Sequence, residues 1–431
     1  MKKFYIRTYG CQMNDYDSVK LTSMLEIHGY KKTDVPEDAD YIIANTCSVR
    51  KNAEDRAFAF LSSQKPLKQQ GKIICLFGCI ANLYGDQIFK RYKFIDIVCG
   101  PNNYNNIPEI FNIGKKGCFI GENQQPFIDA LSLTDKTIAG NITVTKGCEN
   151  FCSYCVVPFT RGKLISKCPE TICREIKHMV ERGTREITLL GQNVNEYGKD
   201  IGTNFIELLE KVHSIDGLLR IGFTTSHPKD IPDELIALFK KLPKLYKHLH
   251  LPIQSGSDKI LKLMNRKYTI EKYEEIIKKV RETVPEITIT SDIIAGYPGE
   301  EEKDFQQTCK VIESIEFDDL FVFKYSPRPG TAAAMCIDSV PIQEKERRHN
   351  LILDIQNNIA YKKNRVYLGK KMPVFLRNAS NKRQGFLVGR TITNKPVLLK
   401  LNRDNLGKIR WTEITKAYRR YLVGQPFDEN E

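Results

Sequence analysis

The sequence has little of what marks membrane or secreted proteins. No apolar run approaches the roughly 20 residues that a helix needs to cross a bilayer, and the mean hydropathy is −0.38. The chain begins Met1-Lys2-Lys3 and continues into a strand-like segment, without the apolar stretch of a signal peptide. Low-complexity tracts and fixed-period repeats are also absent. These absences predict a cytoplasmic protein with no membrane partner, whose 13 cysteines are reduced thiols or metal ligands rather than disulfides.

Acidic residues are scarce at one end of the chain. Residues 361–431 carry 17 Lys and Arg against 5 Asp and Glu, which places +12 of the net charge of +14 there. A basic module beside a nearly neutral body attracts polyanions, so we predict that this end binds nucleic acid, with an ordinary solvated surface as the alternative. The only tryptophan, Trp411, also lies here. We expect it in a core rather than stacked on a base.

Three cysteines lie close together at Cys148, Cys152 and Cys155, with the spacing C-x3-C-x2-C. Such a trio can bind three irons of a four-iron cluster and leave the fourth iron open to a small molecule. A closed zinc site is the alternative, with Cys168 as a fourth thiolate. Because structural zinc sites usually use two spaced cysteine pairs, one compact trio favours the cluster.

A second set of cysteines follows strand-like segments in the first hundred residues, at Cys11, Cys47 and Cys79. Strands alternate there with helices, which predicts a parallel sheet. The C-terminal ends of parallel strands share one edge, so these cysteines should converge and form another trio. Cys99 also follows a strand and could be a fourth ligand. Small buried cysteines are common in cores, so the pattern alone leaves the choice open.

Strands and helices alternate again in the middle of the chain and predict a partial (β/α)6 barrel, in which loops after the strands bind ligands. We read His227, His248 and His250 as interior structural residues rather than catalytic ones. The predicted strands are Asn141–Thr145, Glu186–Leu190, Leu219–Phe223, Lys247–Leu251, Ile287–Ile294 and Asp319–Lys324.

Short alternating segments after Val366 predict a small β-barrel of about five strands. The predicted organisation has four parts. They are an N-terminal parallel-sheet domain (1–120), a linker (121–137), a barrel core (138–364) and the C-terminal β-barrel (365–431).

The run Val156-Val157-Pro158-Phe159-Thr160-Arg161-Gly162 follows the compact trio. With it, the chain resembles the radical S-adenosylmethionine (SAM) enzymes, and among them the methylthiotransferases. The contexts of Cys11, Cys47 and Cys79 also resemble that family. The resemblance implies an α/β chain with a radical SAM core and a C-terminal TRAM barrel that binds RNA. It implies three cofactors: an auxiliary [4Fe-4S] cluster on Cys11, Cys47 and Cys79 (the first trio in chain order), a radical SAM [4Fe-4S] cluster on Cys148, Cys152 and Cys155 (the second trio), and SAM.

The resemblance also implies contact residues. SAM contacts are expected from the loops after the barrel strands, at Gln192, Asn193, Ser226, Gln254 and Asp292. RNA contacts are expected on the C-terminal barrel, at Arg377, Lys382, Arg383, Arg390, Arg410 and Arg419. The implied partners are the anticodon stem-loop of tRNA, an electron donor such as a flavodoxin or ferredoxin, and a sulfur source.

The segment Leu189–Gly198 resembles the branch that methylthiolates C2 of N6-isopentenyladenosine next to the tRNA anticodon. In the implied reaction one SAM methylates a sulfur at the auxiliary cluster, and a second is cleaved to the radical that removes hydrogen from C2. Lys167 departs from the family because an arginine is usual there, which weakens any substrate role at that position. The alternatives are methylthiolation of threonylcarbamoyladenosine and a non-catalytic iron–sulfur RNA-binding protein.

Overall fold

The computed structural model describes four stretches of the chain: residues 1–114, 116–121, 127–131 and 136–427. Parts of the predicted linker and the last four residues of the chain lie outside the described residues. None of the described helices is long and apolar enough to cross a membrane.

Six strands at the start of the chain form one parallel sheet, as predicted. The strands are β1 (Lys3–Tyr9), β2 (Lys31–Lys32), β3 (Tyr41–Thr46), β4 (Ile73–Gly78), β5 (Ile97–Cys99) and β6 (Gly117–Phe119). The helices are α1 (Gln12–Ile27), α2 (Lys51–Ser63), α3 (Lys65–Lys68), α4 (Cys79–Tyr84), α5 (Gln87–Arg91) and α6 (Ile107–Ile113). The spatial order is β2-β1-β3-β4-β5-β6.

Strand β3 explains why this sheet has two cores. Its side chains are buried along the whole strand, with Ile43 packing in one core beside Phe4 and Phe77. Its neighbour Ile42 packs in the other core beside Leu76. A parallel sheet covered on both faces requires such continuous apolar strands.

The middle of the chain forms a half-barrel. Its strands are β7 (Ala139–Thr143), β8 (Thr145–Lys146), β9 (Ile165–Ser166), β10 (Glu186–Leu190), β11 (Arg220–Phe223), β12 (His248–His250), β13 (Thr288–Ala295) and β14 (Asp319–Lys324). Its helices are α7 (Val157–Arg161), α8 (Pro169–Glu181), α9 (Phe205–His213), α10 (Asp233–Lys241), α11 (Asp258–Leu263), α12 (Ile270–Thr283), α13 (Glu302–Ile315) and α14 (Ile342–Arg365).

Six parallel strands of this region follow chain order, as the predicted partial barrel requires. Strands β7, β10 and β11 form one three-stranded sheet, and β12, β13 and β14 form another. A parallel bridge between Ile221 of β11 and Leu245 links the two sheets. Strands β8 and β9 form a separate antiparallel pair, which closes the base of the loop with the compact cysteine trio.

The C-terminal part is a closed five-stranded barrel, as predicted. Its strands are β15 (Lys371–Ala379), β16 (Phe386–Thr391), β17 (Pro396–Lys400), β18 (Ile409–Ala417) and β19 (Leu422–Pro426). The order is β15-β16-β17-β19-β18, and a parallel pairing of β17 with β19 completes it.

The turn between β16 and β17 docks the C-terminal barrel onto the half-barrel. Arg220 at the start of β11 donates to Thr391 O at 2.8 Å. Thr288 at the start of β13 donates to Thr393 O at 2.7 Å. The C-terminal barrel therefore covers the N-terminal ends of the half-barrel strands and leaves their C-terminal ends, where barrels bind ligands, free.

Candidate active site

The C-terminal ends of β1, β3 and β4 lie side by side, and each is followed by one cysteine of the first trio. Cys11 is the N-cap of α1, Cys47 follows β3, and Cys79 opens α4. A hydrogen bond from the Cys47 thiol lowers the pKa of Cys11 to about 6. The same bond and burial raise the pKa of Cys47, and the charge of Cys79 raises it further. The sheet thus brings together three thiols that are distant in sequence.

Two glycines allow this close approach. A Cβ on Gly10 would lie 2.7 Å from the Cβ of Cys47. Gly78 has a φ of +99°, and a Cβ there would lie 2.2 Å from Thr46 O. A side chain at either position would clash with the neighbouring strand end, so glycine is what allows these strand ends, and with them the three cysteines, to lie close together.

The second trio lies in the loop between β8 and α7. The half-barrel holds this loop from the side of α11, because Ser153 N donates to Met264 O at 3.0 Å. Burial raises the pKa of Cys155 to about 12, and the charges of Cys152 and Cys148 also raise it. The three thiols are therefore close enough to act on one another electrostatically.

The two alternative fourth ligands have partners elsewhere. Cys168 is exposed, and its thiol donates to Glu170 Oε2 at 2.7 Å at the start of α8. Cys99 is fully buried in a core of the N-terminal sheet, with Sγ 3.6 Å from Gly100 O. Among the described residues, no group of three or more His, Cys, Asp or Glu side chains is placed to hold a single metal ion. Each trio offers three thiolates, which is the set for a four-iron cluster with one open iron.

A buried arginine donates to one thiol of each trio. Arg161, at the end of α7, donates from Nε to Cys79 Sγ at 3.3 Å, and its Nη2 lies 2.8 Å from Asp17 Oδ2. Arg266 donates from Nη1 to Cys152 Sγ at 3.4 Å. Positive hydrogen-bond donors favour the thiolate, which is the form that binds iron. Sequence reasoning missed both contacts, since spacing along the chain would pair Arg161 with the second trio.

A cavity of about 990 Å³ lies between the N-terminal sheet and the half-barrel. One wall is the segment 49–52, which begins two residues after Cys47. A second wall is the cluster loop at 154–156, which includes Cys155 itself. The end of β14 and the following segment, 322–328, form a third wall. The cavity therefore reaches the second trio at Cys155 and the segment that follows Cys47, and its volume is within the range of small-molecule sites.

The predicted SAM residues fall into two groups. Gln254 and Asp292 line the cavity beside the second trio. Gln192 and Ser226 each have a buried side-chain oxygen without a hydrogen-bond partner, and Gln192 Nε2 lies 2.5 Å from the sulfur of Met13 in α1. Unsatisfied buried oxygens are costly, so a polar ligand such as SAM suits these positions.

Asn193 does not fit the prediction of a SAM contact. Its Nδ2 donates to Glu196 Oε2 at 3.0 Å and to Asp230 Oδ2 at 2.8 Å. Its Oδ1 accepts from His227 N at 3.2 Å. The amide is thus used to fasten the loops after β10 and β11 to each other.

Lys167 lies in a buried ionic cluster between the N-terminal sheet and the half-barrel. Its Nζ donates to Tyr16 OH at 2.6 Å and to Glu175 Oε2 at 2.9 Å. Lys20 of α1 reaches the other oxygen of Glu175 at 2.7 Å. The position that departs from the family pattern therefore holds two regions of the protein together, and its buried side chain faces away from solvent.

The interior histidines are held by neighbours in the half-barrel. Burial lowers the pKa of His227 to about 2 and that of His248 to about 3. The ring nitrogens His248 Nε2 and His250 Nδ1 lie 2.9 and 3.0 Å from Thr290 Oγ1. The contacts of His248 and His250 agree with a structural role for these two residues, and the low pKa values keep His227 and His248 neutral at physiological pH.

The predicted RNA contacts also divide. Lys382, Arg383, Arg410 and Arg419 are exposed on the C-terminal barrel. Arg377 instead pairs with Glu186 of β10 at 3.4 Å. Arg390 donates to Asn394 O at 3.0 Å, and its Nε is buried. Arg377 thus joins the two barrels, whereas the bond of Arg390 to Asn394 O stays within the C-terminal barrel and holds the turn after β16.

The expectation that Trp411 lies in a core is wrong, since 39% of its side chain is exposed. On β18 the side chains of Thr412 and Ile414 are buried inside the barrel. Period-two alternation puts Trp411 on the outer face. Its ring centroid lies 6.2 Å from that of Phe427, over which Lys371 Nζ sits at 4.4 Å.

Two family models match the regions that carry the trios. The model of the Radical SAM superfamily matches residues 142–312, and the model described as Uncharacterized protein family UPF0004 matches residues 3–100. The fold is similar to that of TsrM from Kitasatospora setae, a radical SAM methyltransferase solved with cobalamin and a [4Fe-4S] cluster. The TM-score is 0.56 at 12% identity, over 78% of this chain and 74% of that chain. Residues 142–312 therefore carry a domain of the radical SAM superfamily.

Curated relatives define the family more closely. The chain is 43% identical to the tRNA-2-methylthio-N(6)-dimethylallyladenosine synthase of Clostridium botulinum (strain Okra / Type B1), over 98% of this chain and 96% of the relative. It is 39% identical to the protein of the same name from Syntrophotalea carbinolica, over 99% of this chain and 100% of the relative. The chain belongs to the tRNA-2-methylthio-N(6)-dimethylallyladenosine synthase family, which confirms the resemblance drawn from its cysteine motifs.

Proposed function

We propose that this protein methylthiolates C2 of N6-isopentenyladenosine beside the anticodon of tRNA, with two [4Fe-4S] clusters and SAM as cofactors. The observation that carries the proposal is the cavity bordered by Cys155 of the second trio and by residues 49–52, which begin two residues after Cys47 of the first trio. A reaction that joins sulfur to an unactivated carbon needs a sulfur donor and a radical source at one place. The name of these relatives supplies the substrate class.

The cofactors, when bound, supply the one-electron chemistry and the methylthio group. Cys148, Cys152 and Cys155 would hold the cluster that takes SAM, and Cys11, Cys47 and Cys79 the auxiliary one. Gln254 and Asp292 lie at the cavity wall beside Cys155, where they would orient the polar parts of SAM. The remaining apolar lining would keep water from the reacting centre.

The apolar wall of the cavity supports an isopentenyl group over a threonylcarbamoyl group. Ile294 of β13, Val322 of β14 and Val340 before α14 contribute apolar side chains to this wall. The two buried cations of the lining already have carboxylate partners. Lys345 pairs with Asp338 at 2.6 Å and Arg328 with Glu54 at 2.9 Å. In the buried part of the cavity a substrate carboxylate would therefore meet neutralised cations, whereas an alkyl group gains from burial.

The exposed side of the C-terminal barrel supports tRNA as the partner. Trp411 and Phe427 present aromatic faces beside Lys371, and Lys382 and Arg383 lie on an exposed turn. Aromatic faces stack on unpaired bases, and nearby cations neutralise phosphates. An electron donor such as a flavodoxin or ferredoxin, a sulfur source and a cytoplasmic location complete the proposal.

Incubation with isopentenylated tRNA deuterated at adenine C2 tests this function. The reconstituted protein, with SAM and a reductant, should yield methylthiolated nucleoside and place deuterium in 5′-deoxyadenosine. The matched control is the same tRNA without the isopentenyl group. Product only on threonylcarbamoylated tRNA would support the second methylthiotransferase branch. Intact SAM after reduction would support a non-catalytic RNA-binding protein.

A further inference from the structure

Arg161 belongs to the half-barrel but bonds to a thiol of the N-terminal sheet. It lies six residues after Cys155, in the loop and helix that follow the second trio. Its Nε nevertheless donates to Cys79 Sγ, at 3.3 Å. The packing of α4 against α7 holds this arrangement, with Asn82 donating to Thr160 O at 2.8 Å. From its position in the sequence, Arg161 would be assigned to the second trio, but the thiol that it contacts belongs to the first.

Arg266 is the corresponding donor for the second trio, although it lies far from those cysteines in sequence. Its Nη1 donates to Cys152 Sγ at 3.4 Å, its Nη2 to Pro252 O at 2.9 Å and its Nε to Tyr268 OH at 3.0 Å. All three nitrogens are thus committed to a thiol, a carbonyl and a phenol. None of these partners is a carboxylate.

The surroundings of Arg161 are different. Asp17 Oδ2 lies 2.8 Å from its Nη2, and both side chains are almost fully buried. Lys146 Nζ lies 3.9 Å from the other oxygen of Asp17. The negative charge of Asp17 therefore partly offsets the positive charge that Arg161 places beside Cys79. The partners of Arg266, which lies beside Cys152, include no such carboxylate.

Hydrogen bonds and positive charges at cluster sulfurs favour the reduced, more negative cluster. The effect is largest where the groups are buried, because water does not screen them. We infer that Arg161 is a positioning residue that eases reduction of the auxiliary cluster, with Asp17 as its moderator, and that Arg266 does the same for the radical SAM cluster. This inference rests on the proposed function, because it assumes that both trios hold clusters.

Redox titration of the reconstituted full-length protein, followed by electron paramagnetic resonance, tests the inference. Variants with Ala at all three cysteines of one trio identify which signal belongs to which cluster. The test variants are Arg161→Gln, Arg266→Gln and Asp17→Asn, with Arg161→Lys and Arg266→Lys as charge-retaining controls. Iron per chain, measured on each variant, shows whether both clusters are still held.

Arg161→Gln should lower the equilibrium constant for reduction of the auxiliary cluster about tenfold, or about 59 mV for one electron, and leave the other cluster unchanged. Arg266→Gln should lower the equilibrium constant for reduction of the radical SAM cluster and leave the auxiliary cluster unchanged. Asp17→Asn should raise the equilibrium constant of the auxiliary cluster, and the Lys variants should shift less than the Gln variants.

Two outcomes would overturn the inference while leaving the proposed function in place. One is full iron content with both potentials unchanged in the Gln variants. The other is a shift of the radical SAM cluster, rather than the auxiliary one, in Arg161→Gln. Unmodified protein that takes up no four-iron clusters would overturn the proposed function and this inference together.

Discussion

The first thiol trio is assembled from the ends of three strands, whereas the second lies within one loop between β8 and α7. Cys11, Cys47 and Cys79 meet only when β1, β3 and β4 pair in register. Cys148, Cys152 and Cys155 need only a closed loop, which the pairing of β8 with β9 provides. The first trio is therefore a product of topology and the second a product of local spacing.

This difference has a consequence for folding. Loop closure over a few residues costs little conformational entropy, and contacts between distant strands cost more. The second trio could bind iron while much of the chain is still disordered. The first cannot, so its iron content reports on the packing of the N-terminal sheet.

Replacing either trio with alanine should have the largest effect. We expect roughly eight irons per chain in the reconstituted protein and about half of that in either triple variant, because each trio holds one four-iron cluster. Ala at Cys148, Cys152 and Cys155 should abolish formation of 5′-deoxyadenosine. Ala at Cys11, Cys47 and Cys79 should leave that activity detectable but abolish methylthiolation. Metal analysis measures the iron content, and product chromatography measures 5′-deoxyadenosine and the methylthiolated nucleoside. Zinc in place of iron would contradict the assignment.

The ionic cluster around Glu175 should be the next most sensitive feature, because it joins the region of the first trio to that of the second. Glu175→Ala leaves the ammonium groups of Lys20 and Lys167 buried without a carboxylate. Breaking a buried pair in this way costs about 3–5 kcal/mol. We expect a matching fall in the free energy of unfolding, measured in urea. Exposed Glu181 on the same helix is the control, and Glu181→Ala should change stability by less than about 0.5 kcal/mol.

The same cluster predicts a dependence on pH. Burial opposes ionisation, but Lys167 and Lys20 hold the pKa of Glu175 below its ordinary value. A depressed carboxyl pKa contributes stability above the unfolded value, near pH 4.3, and that contribution is lost as pH falls through the folded pKa. The urea midpoint should therefore fall more steeply with acid in unmodified protein than in Glu175→Gln. Equal slopes would contradict this ionic role.

Much of the fold could be predicted because its segments are strongly patterned. The predicted strands Glu186–Leu190 and Asp319–Lys324 agree with β10 and β14 residue for residue. Strand β12 is shorter than predicted, because only His248–His250 pairs with β13. The convergence of the first trio could be expected from the rule for parallel sheets.

Contacts between distant segments could not be predicted. The pairing of Arg161 with Cys79 depends on how α7 packs against α4. The turn at 391–395 docks through two backbone carbonyls, which accept from Arg220 and Thr288, and no sequence motif marks them. Arg377 pairs with Glu186, although the sequence shows it only as one more basic residue. The outward position of Trp411, by contrast, could have been predicted from the sequence. Thr412 and Ile414 lie two residues apart on β18 and face inward, so Trp411 faces outward.

Truncating Ile294 should weaken the preference for isopentenylated substrate without affecting either trio. This variant therefore tests the cavity wall separately from the clusters. Ile294→Ala removes alkyl surface from the cavity, and losses of this kind cost about 1–3 kcal/mol. We expect kcat/KM for isopentenylated anticodon stem-loops to fall roughly tenfold, with normal iron content. Val366→Ala, at an exposed position after α14, is the control. An unchanged preference over stem-loops lacking the isopentenyl group would exclude Ile294 from the substrate wall.

Replacing Trp411 should have the smallest effect and should leave both trios intact. Deleting the whole C-terminal barrel is a poor test of RNA binding, because it would also remove Arg377 and Lys395, which pair with the buried carboxylates of Glu186 and Asp318. Trp411→Ala removes one exposed stacking surface, which is worth about 1–3 kcal/mol. Trp411→Phe retains an aromatic face and should retain most of the affinity. Fluorescence anisotropy with labelled tRNA at fixed salt measures the change. If both variants bind tRNA as tightly as unmodified protein, the outer face of β18 is not the RNA surface, and the roles of the two trios stand independently of it.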